Sequence, residues 1–328
     1  MGGCHGYLLE QADGQARVLL SARPVENVLA DPATSADMRR RLRVAREARA
    51  YARDVLGLTV GQQYQRVVML DRDALVYVVM AAPRTSLTPY TWKYPVVGEL
   101  PYRGYFRRGD ADAEAARLAR EGYETAVRKV STFSLLGYLP DPLVSSMLDG
   151  PMESVVETVI HELCHATVFV PSDAAFNESL CSFVGEEGRR RFLRTRMGPH
   201  SAAYALAEAR ARDGERYRES VDALVKDLRA LFQGPLPDEE KAWRKDALYV
   251  AHQQRFERTV VPRRETRLLA KARLPGNNAE LSQWGVYHAD EAFFARELRA
   301  VQGDFPRFMR RMAARSGDAE FRAHAVSR

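Results

Sequence analysis

No run of about 18 uncharged apolar residues occurs anywhere in the chain, so no segment reads as a helix that could cross a bilayer. Cysteine is scarce. Cys4, Cys164 and Cys181 are the only three, which excludes a disulfide-dense scaffold. No internal repeat and no low-complexity linker divides the 328 residues. Charge of one sign is not in large excess: 49 Lys and Arg stand against 43 Asp and Glu, giving +6. Most of that surplus is Arg within helix-like segments, where it reads as solvated helix face. Zinc-finger spacing, an RNP-like motif and a concentrated basic arm are all missing, so nucleic acid is not expected as a partner. What is present is apolar material. Hydrophobic residues make up 46%, enough for a sizeable core, so global disorder is excluded.

The start, Met1-Gly2-Gly3-Cys4, has Gly directly before Cys, as at the end of a bacterial lipoprotein signal. By itself that dipeptide also fits an ordinary free thiol near a terminus. Further along, Leu42, Ala45, Ala48, Ala52, Val55 and Leu56 keep helical spacing and predict a helix over 36–56. Residues 64–70 and 75–82 are β-rich runs separated by the turn-like Asp71-Arg72-Asp73. Residues 90–106 read as a third extended region, 111–120 as a short helix and 123–133 as a further strand. From about Ser154 onward the pattern is helical, with breaks at 198–199, 234–235 and 276–278. The expected fold is therefore α+β and predominantly helical, with a small β-sheet and an extended helical C-terminal half. Three segments are expected: an N-terminal helical segment (1–60), a catalytic core (61–188) and a helical region completing the cleft (189–328).

The chemistry lies in His161-Glu162-Leu163-Cys164-His165. Two histidines at i and i+4 stand about 40° apart and one turn along a helix, so both imidazoles can reach one ion. Glu162 can reach a water on that ion without ligating it. This is the H-E-x-x-H pattern of zinc hydrolases, which takes neutral imidazole or carboxylate ligands and leaves one position open. Val155, Val156, Val159, Ile160 and Leu163 make the surrounding helix apolar. A third ligand is required. A metzincin would place a His six residues after His165, but Pro171 stands there. A second helix carrying Asn177-Glu178 can instead return antiparallel after a short loop at 171–174, turning Glu178 toward the two histidines. Glu186 and Glu187 compete for that role. Asn177 suits a contact behind the ligands or in the loop.

Further motifs accompany these. They are Gly14-Gln15 with Leu19-Leu20 and Arg23-Pro24; Trp92-Lys93-Tyr94-Pro95-Val96-Val97-Gly98 continuing to Pro101-Tyr102-Arg103-Gly104-Tyr105-Phe106; and Phe133-Ser134-Leu135-Leu136-Gly137-Tyr138 with Asp141-Pro142. To these add Phe176-Asn177-Glu178-Ser179 and the stretch from Asn277-Asn278-Ala279 through Tyr287. Together with the histidine motif, these blocks resemble the predicted bacterial zinc aminopeptidases, a gluzincin-like family of lipoproteins. The resemblance runs over most of the chain and implies a zincin-like metallopeptidase core. It implies Zn²⁺ held by His161, His165 and Glu178, with Glu162 as general base. It also implies a peptide substrate and a periplasmic location, with lipid on Cys4 as membrane anchor. One departure stands out. Positions 93 and 99 are often both Cys in the family, and here Lys93 and Glu99 could form an ion pair in place of a disulfide.

A donor to the tetrahedral oxyanion is required opposite the metal. Tyr287 is the first candidate, with His288, Tyr102 and Tyr105 as alternatives. Residues 96–106 or 123–133 could supply an edge strand for the substrate backbone. Glu99 is a weak candidate for holding a substrate amine. An endopeptidase and a non-catalytic zinc-stabilised envelope binding protein remain as competing functions.

Overall fold

The computed structural model describes residue 14 and residues 16–70, 74–94, 98–130, 141–282, 284 and 291–326. Cys4, Tyr287 and His288 lie outside the described residues. The first strand is β1 (Arg23–Pro24), followed by the short helix α1 (Val25–Ala30). Ser35 starts α2 (Ala36–Asp54), its hydroxyl accepting from the Met38 N–H at 3.1 Å. The buried stripe of α2 is Leu42, Ala45, Ala48 and Ala52, and its alanines let a neighbouring helix approach closely. That neighbour is α4 (Met152–His165), which buries Val155, Val156, Val159, Ile160 and Leu163.

The other side of α4 is covered by α5 (Ala174–Met197), whose first turn is capped by Asp173 accepting from Phe176 N–H at 3.1 Å. Two glycines set the distance between α4 and α5. A β-carbon at Gly185 would lie 3.1 Å from His161 Cβ and 3.2 Å from the Glu157 carbonyl. One at Gly188 would lie 2.9 Å from both Ile160 Cγ2 and Leu56 Cδ1. Three later helices, α9 (Glu291–Ala300), α10 (Phe305–Arg315) and α11 (Ala319–Val326), return to this core. Phe176 of α5 meets Phe294 and Phe321 at ring-centroid distances of 6.2 and 6.4 Å. Arg322 of α11 pairs with the capping Asp173 at 2.7 Å.

The strands are short. β2 (Arg66–Val68) pairs antiparallel with β1 and parallel with β8 (Leu143–Val144). The second sheet has the order β6 (Arg103–Tyr105), β3 (Val76–Pro83), β7 (Tyr123–Val130), antiparallel throughout. Its face carrying Tyr77, Val79 and Ala81 packs on α3 (Arg108–Arg120) around Ala111, Ala115 and Leu118. The extended region at 90–106 holds a two-stranded hairpin, β4 (Trp92–Tyr94) with β5 (Gly98–Leu100), followed by β6. Lys93 stands opposite Glu99 in that hairpin, and the two form an ion pair at 3.3 Å.

A third core lies between α6 (Ala202–Gln233) and α7 (Asp238–Thr259). The short α8 (Asn278–Leu281) joins it to the second sheet. Asn278 is fully buried. Its amide donates to the carbonyls of Pro83, Arg84 and Ser86 at 2.9–3.1 Å and accepts from the Tyr249 hydroxyl at 2.9 Å. Its backbone N–H donates to Glu124 Oε2 at 2.8 Å, and the other Glu124 oxygen pairs with the buried Lys245. Asn277 and Asn278 therefore fasten the helical half to β3 and β7. The chain is an α+β protein, predominantly helical.

Candidate metal centre

His161 and His165 project from one face of α4 in its last two turns, with ring centroids 4.9 Å apart. Glu178 faces them from the second turn of α5. Three donor atoms form a triangle. His161 Nε2 is 3.2 Å from His165 Nε2, Glu178 Oε2 is 3.4 Å from the first nitrogen and 3.6 Å from the second. A tetrahedral ion with ligand bonds near those of zinc requires donor–donor edges of about 3.3–3.5 Å. The triangle has that size, so these residues fit a metal ion. Among the described residues they are the one cluster of His, Cys, Asp or Glu that could hold one.

The electrostatics of the three agree with a shared charge site. Burial alone would raise the Glu178 carboxyl, but hydrogen bonds from both histidines outweigh it and hold it down to about 2. Burial likewise opposes charge on the imidazoles, yet the bond to Glu178 carries both above the ordinary histidine value. His165 Nδ1 is buried and has no hydrogen-bond partner among the described residues.

The loop between the helices is built to hold this geometry. Asn177 Oδ1 accepts from Val170 N–H, and Asn177 Nδ2 donates to Val170 O, both at 2.8 Å. The hydroxyl of Thr167 donates to Leu163 O at 2.8 Å and accepts from Thr59 N–H at 2.9 Å. Ser172 has φ +61°, and its Oγ lies 2.6 Å from where a β-carbon on Gly98 would sit. Gly98 itself has φ +79°, so β5 can come against this loop only with glycine there.

Glu162 is on the same helical turn as the two histidines and partly exposed. The competing carboxylates are engaged elsewhere: Glu187 with Arg190 and Arg191 at 2.8 and 2.7 Å, Glu186 beside Arg218 at 3.9 Å. Glu99 is exposed and bonded to Thr91 and Lys93 on its hairpin. Cys164 and Cys181 are buried and free, one on each of the two helices, and burial pushes the Cys181 thiol well up.

Of the candidate tyrosines within the described residues, Tyr102 is the one that feels the charges of the site. Burial, then Glu178, then Glu162 push its phenol up to about 12. Tyr105, three residues later, is buried in the second core instead. Tyr287 and His288 fall outside the described residues. One residue near Glu162 was not anticipated. Tyr64 is buried, and after burial the Glu162 carboxylate is the largest influence raising its phenol. The sequence places it at the head of a β-rich run, but its φ is +61° and the strand begins at Arg66.

The chain belongs to the family described as "putative aminopeptidase", which matches it over residues 6–324. No curated protein and no solved structure matches it. Membership gives the chain a peptidase-like function of the aminopeptidase class.

Proposed function

We propose that the protein is a zinc-dependent metallopeptidase, an aminopeptidase acting on peptides at the bacterial envelope. The observation that carries this reading is the donor triangle of His161, His165 and Glu178, with Glu162 beside it on the same turn. The two imidazoles and one carboxylate would hold Zn²⁺ and leave a fourth position open. When bound, zinc supplies a Lewis acid for the scissile carbonyl and lowers the pKa of a water to about 7. Glu162 removes the proton from the attacking water and delivers it to the leaving amine. Tyr102, whose raised pKa keeps it protonated, donates to the developing oxyanion. The segment from β5 to β6 lies against the helix–loop–helix at Gly98 and carries Tyr102, so it is the strand that pairs with the substrate backbone. In the native protein a lipid on Cys4 would hold the enzyme at the membrane.

The test is metal analysis followed by cleavage of peptide libraries. One zinc per chain is expected, with cleavage of free but not acetylated N-termini, and loss of activity in Glu162→Gln. Equal rates on acetylated peptides would remove the aminopeptidase assignment. A zinc-loaded wild type as inert as the mutant would remove catalysis altogether.

A further inference from the structure

Helix α4 is packed on every side but one. Val155, Val156, Val159, Ile160 and Leu163 are fully buried, and Glu157, Thr158, His161, Glu162 and His165 fall between them in one strip at helical spacing. His165, His161 and Glu157 follow one another turn by turn along that strip. Side-chain exposure rises in that order, from 6% to 20% to 46%. The strip therefore closes at His165 and opens at Glu157. Gly185 brings α5 against its open end, where a β-carbon would lie 3.5 Å from Glu157 Cγ and 3.1 Å from His161 Cβ. Arg189, one turn further along α5, is 4% exposed, and its Nε lies 3.0 Å from Glu157 Oε2. A buried guanidinium stays charged and needs an anion. That need alone would be met by an acid as buried as itself. Glu153, one turn before Glu157, is more buried, and its carboxylate is taken by Arg210. Glu157 instead lies in the open strip. Its contact with Arg189 is one of charge alone, since Arg189 Nε has no hydrogen-bond partner among the described residues. No hydrogen bond reaches either Glu157 oxygen among those residues, so both keep their acceptor capacity.

We propose that Glu157, held from behind by Arg189, is a substrate-binding residue that takes a cationic group of the peptide at the open end of the metal cleft. The chemistry recognised is an ammonium or guanidinium, a donor-only cation that meets an acceptor-only carboxylate. Hydrogen bonds between ionised partners are about twice as strong as neutral ones. The buried guanidinium fixes the carboxylate before substrate arrives, so little side-chain freedom is lost on binding. One helical turn, about 5.4 Å, separates Glu157 from His161, and that is the span of about one to two peptide residues. A cation so near the metal belongs to the residues flanking the cleaved bond. It is either the terminal amine or the side chain of a Lys or Arg. The inference rests on the proposed peptidase function.

The probes are four alanine-based peptides of equal length, with a free or acetylated N-terminus and with lysine or norleucine at the first three positions. In the zinc-loaded full chain, Glu157→Gln should lower kcat/KM roughly tenfold to a hundredfold more for the cationic peptides than for acetylated norleucine peptide, with bound zinc retained. A loss that follows acetylation assigns the site to the terminal amine, and one that follows lysine assigns it to a basic side chain. Glu157→Gln combined with Arg189→Met removes both charges and replaces the single variant if that one does not fold. A second arm needs no cleavage. Dissociation constants of the same peptides, measured by calorimetry on zinc-loaded Glu162→Gln with and without the change at 157, should show the same preference. Equal losses on all four peptides, no loss on any, or no binding of any overturns the proposal. If the wild type cleaves no peptide, the peptidase reading fails, and the calorimetry still decides whether Glu157 takes a cation.

Discussion

Gly185 of α5 lies against His161 of α4 so closely that a β-carbon there would be 3.1 Å from the histidine's own. The atoms it would meet are a Cβ and a backbone carbonyl, neither of which can rotate away. The helices would have to part by a few tenths of an ångström. Glu178 sits on the same helix two turns earlier and would move with it. Gly185→Ala is therefore expected to weaken zinc binding at least tenfold, measured by competition with a chelating dye. Thermal stability of the metal-free chain should change little, because alanine is better than glycine in a helix by about 1 kcal/mol and this offsets the strain. Unchanged zinc affinity would show that the separation of α4 and α5 does not control the site.

Glu162→Gln and Tyr102→Phe should both leave zinc bound and both reduce kcat. Loss of the general base is expected to cost about 100-fold or more. Loss of one oxyanion donor is expected to cost about 10- to 1,000-fold, with KM little affected. Steady-state kinetics with metal content measured on the same samples separates these from loss of the ion. If Tyr102→Phe retains full activity, the oxyanion donor is another group, and Tyr287 and His288 become the next residues to replace.

Lys245 is buried at 1% exposure and pairs with Glu124, which also accepts from Asn278. Removing the acid leaves the buried Lys245 cation paired with the exposed Asp246 at 3.3 Å and without its closer, more buried partner. Glu124→Gln should destabilise the chain in denaturant unfolding by less than the about 3–5 kcal/mol of a fully uncompensated buried charge, because Asp246 remains. Glu124→Leu combined with Lys245→Met should recover most of that loss, since a well-packed apolar pair often equals a buried ion pair. If the double variant is no more stable than the single one, the pair does more than compensate its own burial.

Acid stability should depend on the corner where α6 meets residues 265 and 266. Burial would raise the Asp213 carboxyl, but the backbone N–H groups of Glu265 and Thr266, the Thr266 hydroxyl and Arg216 hold it below its ordinary value. Bonds from Arg212 and Arg216 hold Glu265 down to about 2. Both groups bind protons more readily in the unfolded chain. Their stabilisation is therefore complete above the ordinary values of 3.8 and 4.5 and is lost as pH falls through the lower folded values. Asp213→Asn should flatten the fall in melting temperature below about pH 4. A slope identical to wild type would place the acid lability elsewhere.

The grouping of His161, His165 and Glu178 could be named from sequence because helical spacing carries it: residues four apart share a face, and a carboxylate on a returning helix meets them. The Lys93–Glu99 pairing was expected from the resemblance, whose family often carries Cys at both positions, and the hairpin sets the two residues opposite each other. Strand pairing was not legible. The β-rich runs at 64–70 and 75–82 join different sheets, because β2 finds its partners at Leu143–Val144 and Arg23–Pro24, far away in the chain. Tyr102 and Tyr105 look equivalent in sequence, three residues apart, and the turn into β6 sends one to the carboxylates and the other into the second core. Tyr64 carried no local signal: its φ is +61°, and its N–H donates to the carbonyl of Asp141, far along the chain, at 2.8 Å. Asn277 and Asn278 stood out as a motif, and their role is to join two cores.

The ion pair between Asp173 and Arg322 has a consequence in time. The helix bearing Glu178 leaves the ribosome well before the residue that secures its cap, 149 positions later. At about 5–20 residues per second that interval is roughly 7–30 s. For that period the two histidines and the glutamate are already made but lack the α11 contact that steadies their alignment. A chain assembled in this order gains that contact only once residue 322 has been added.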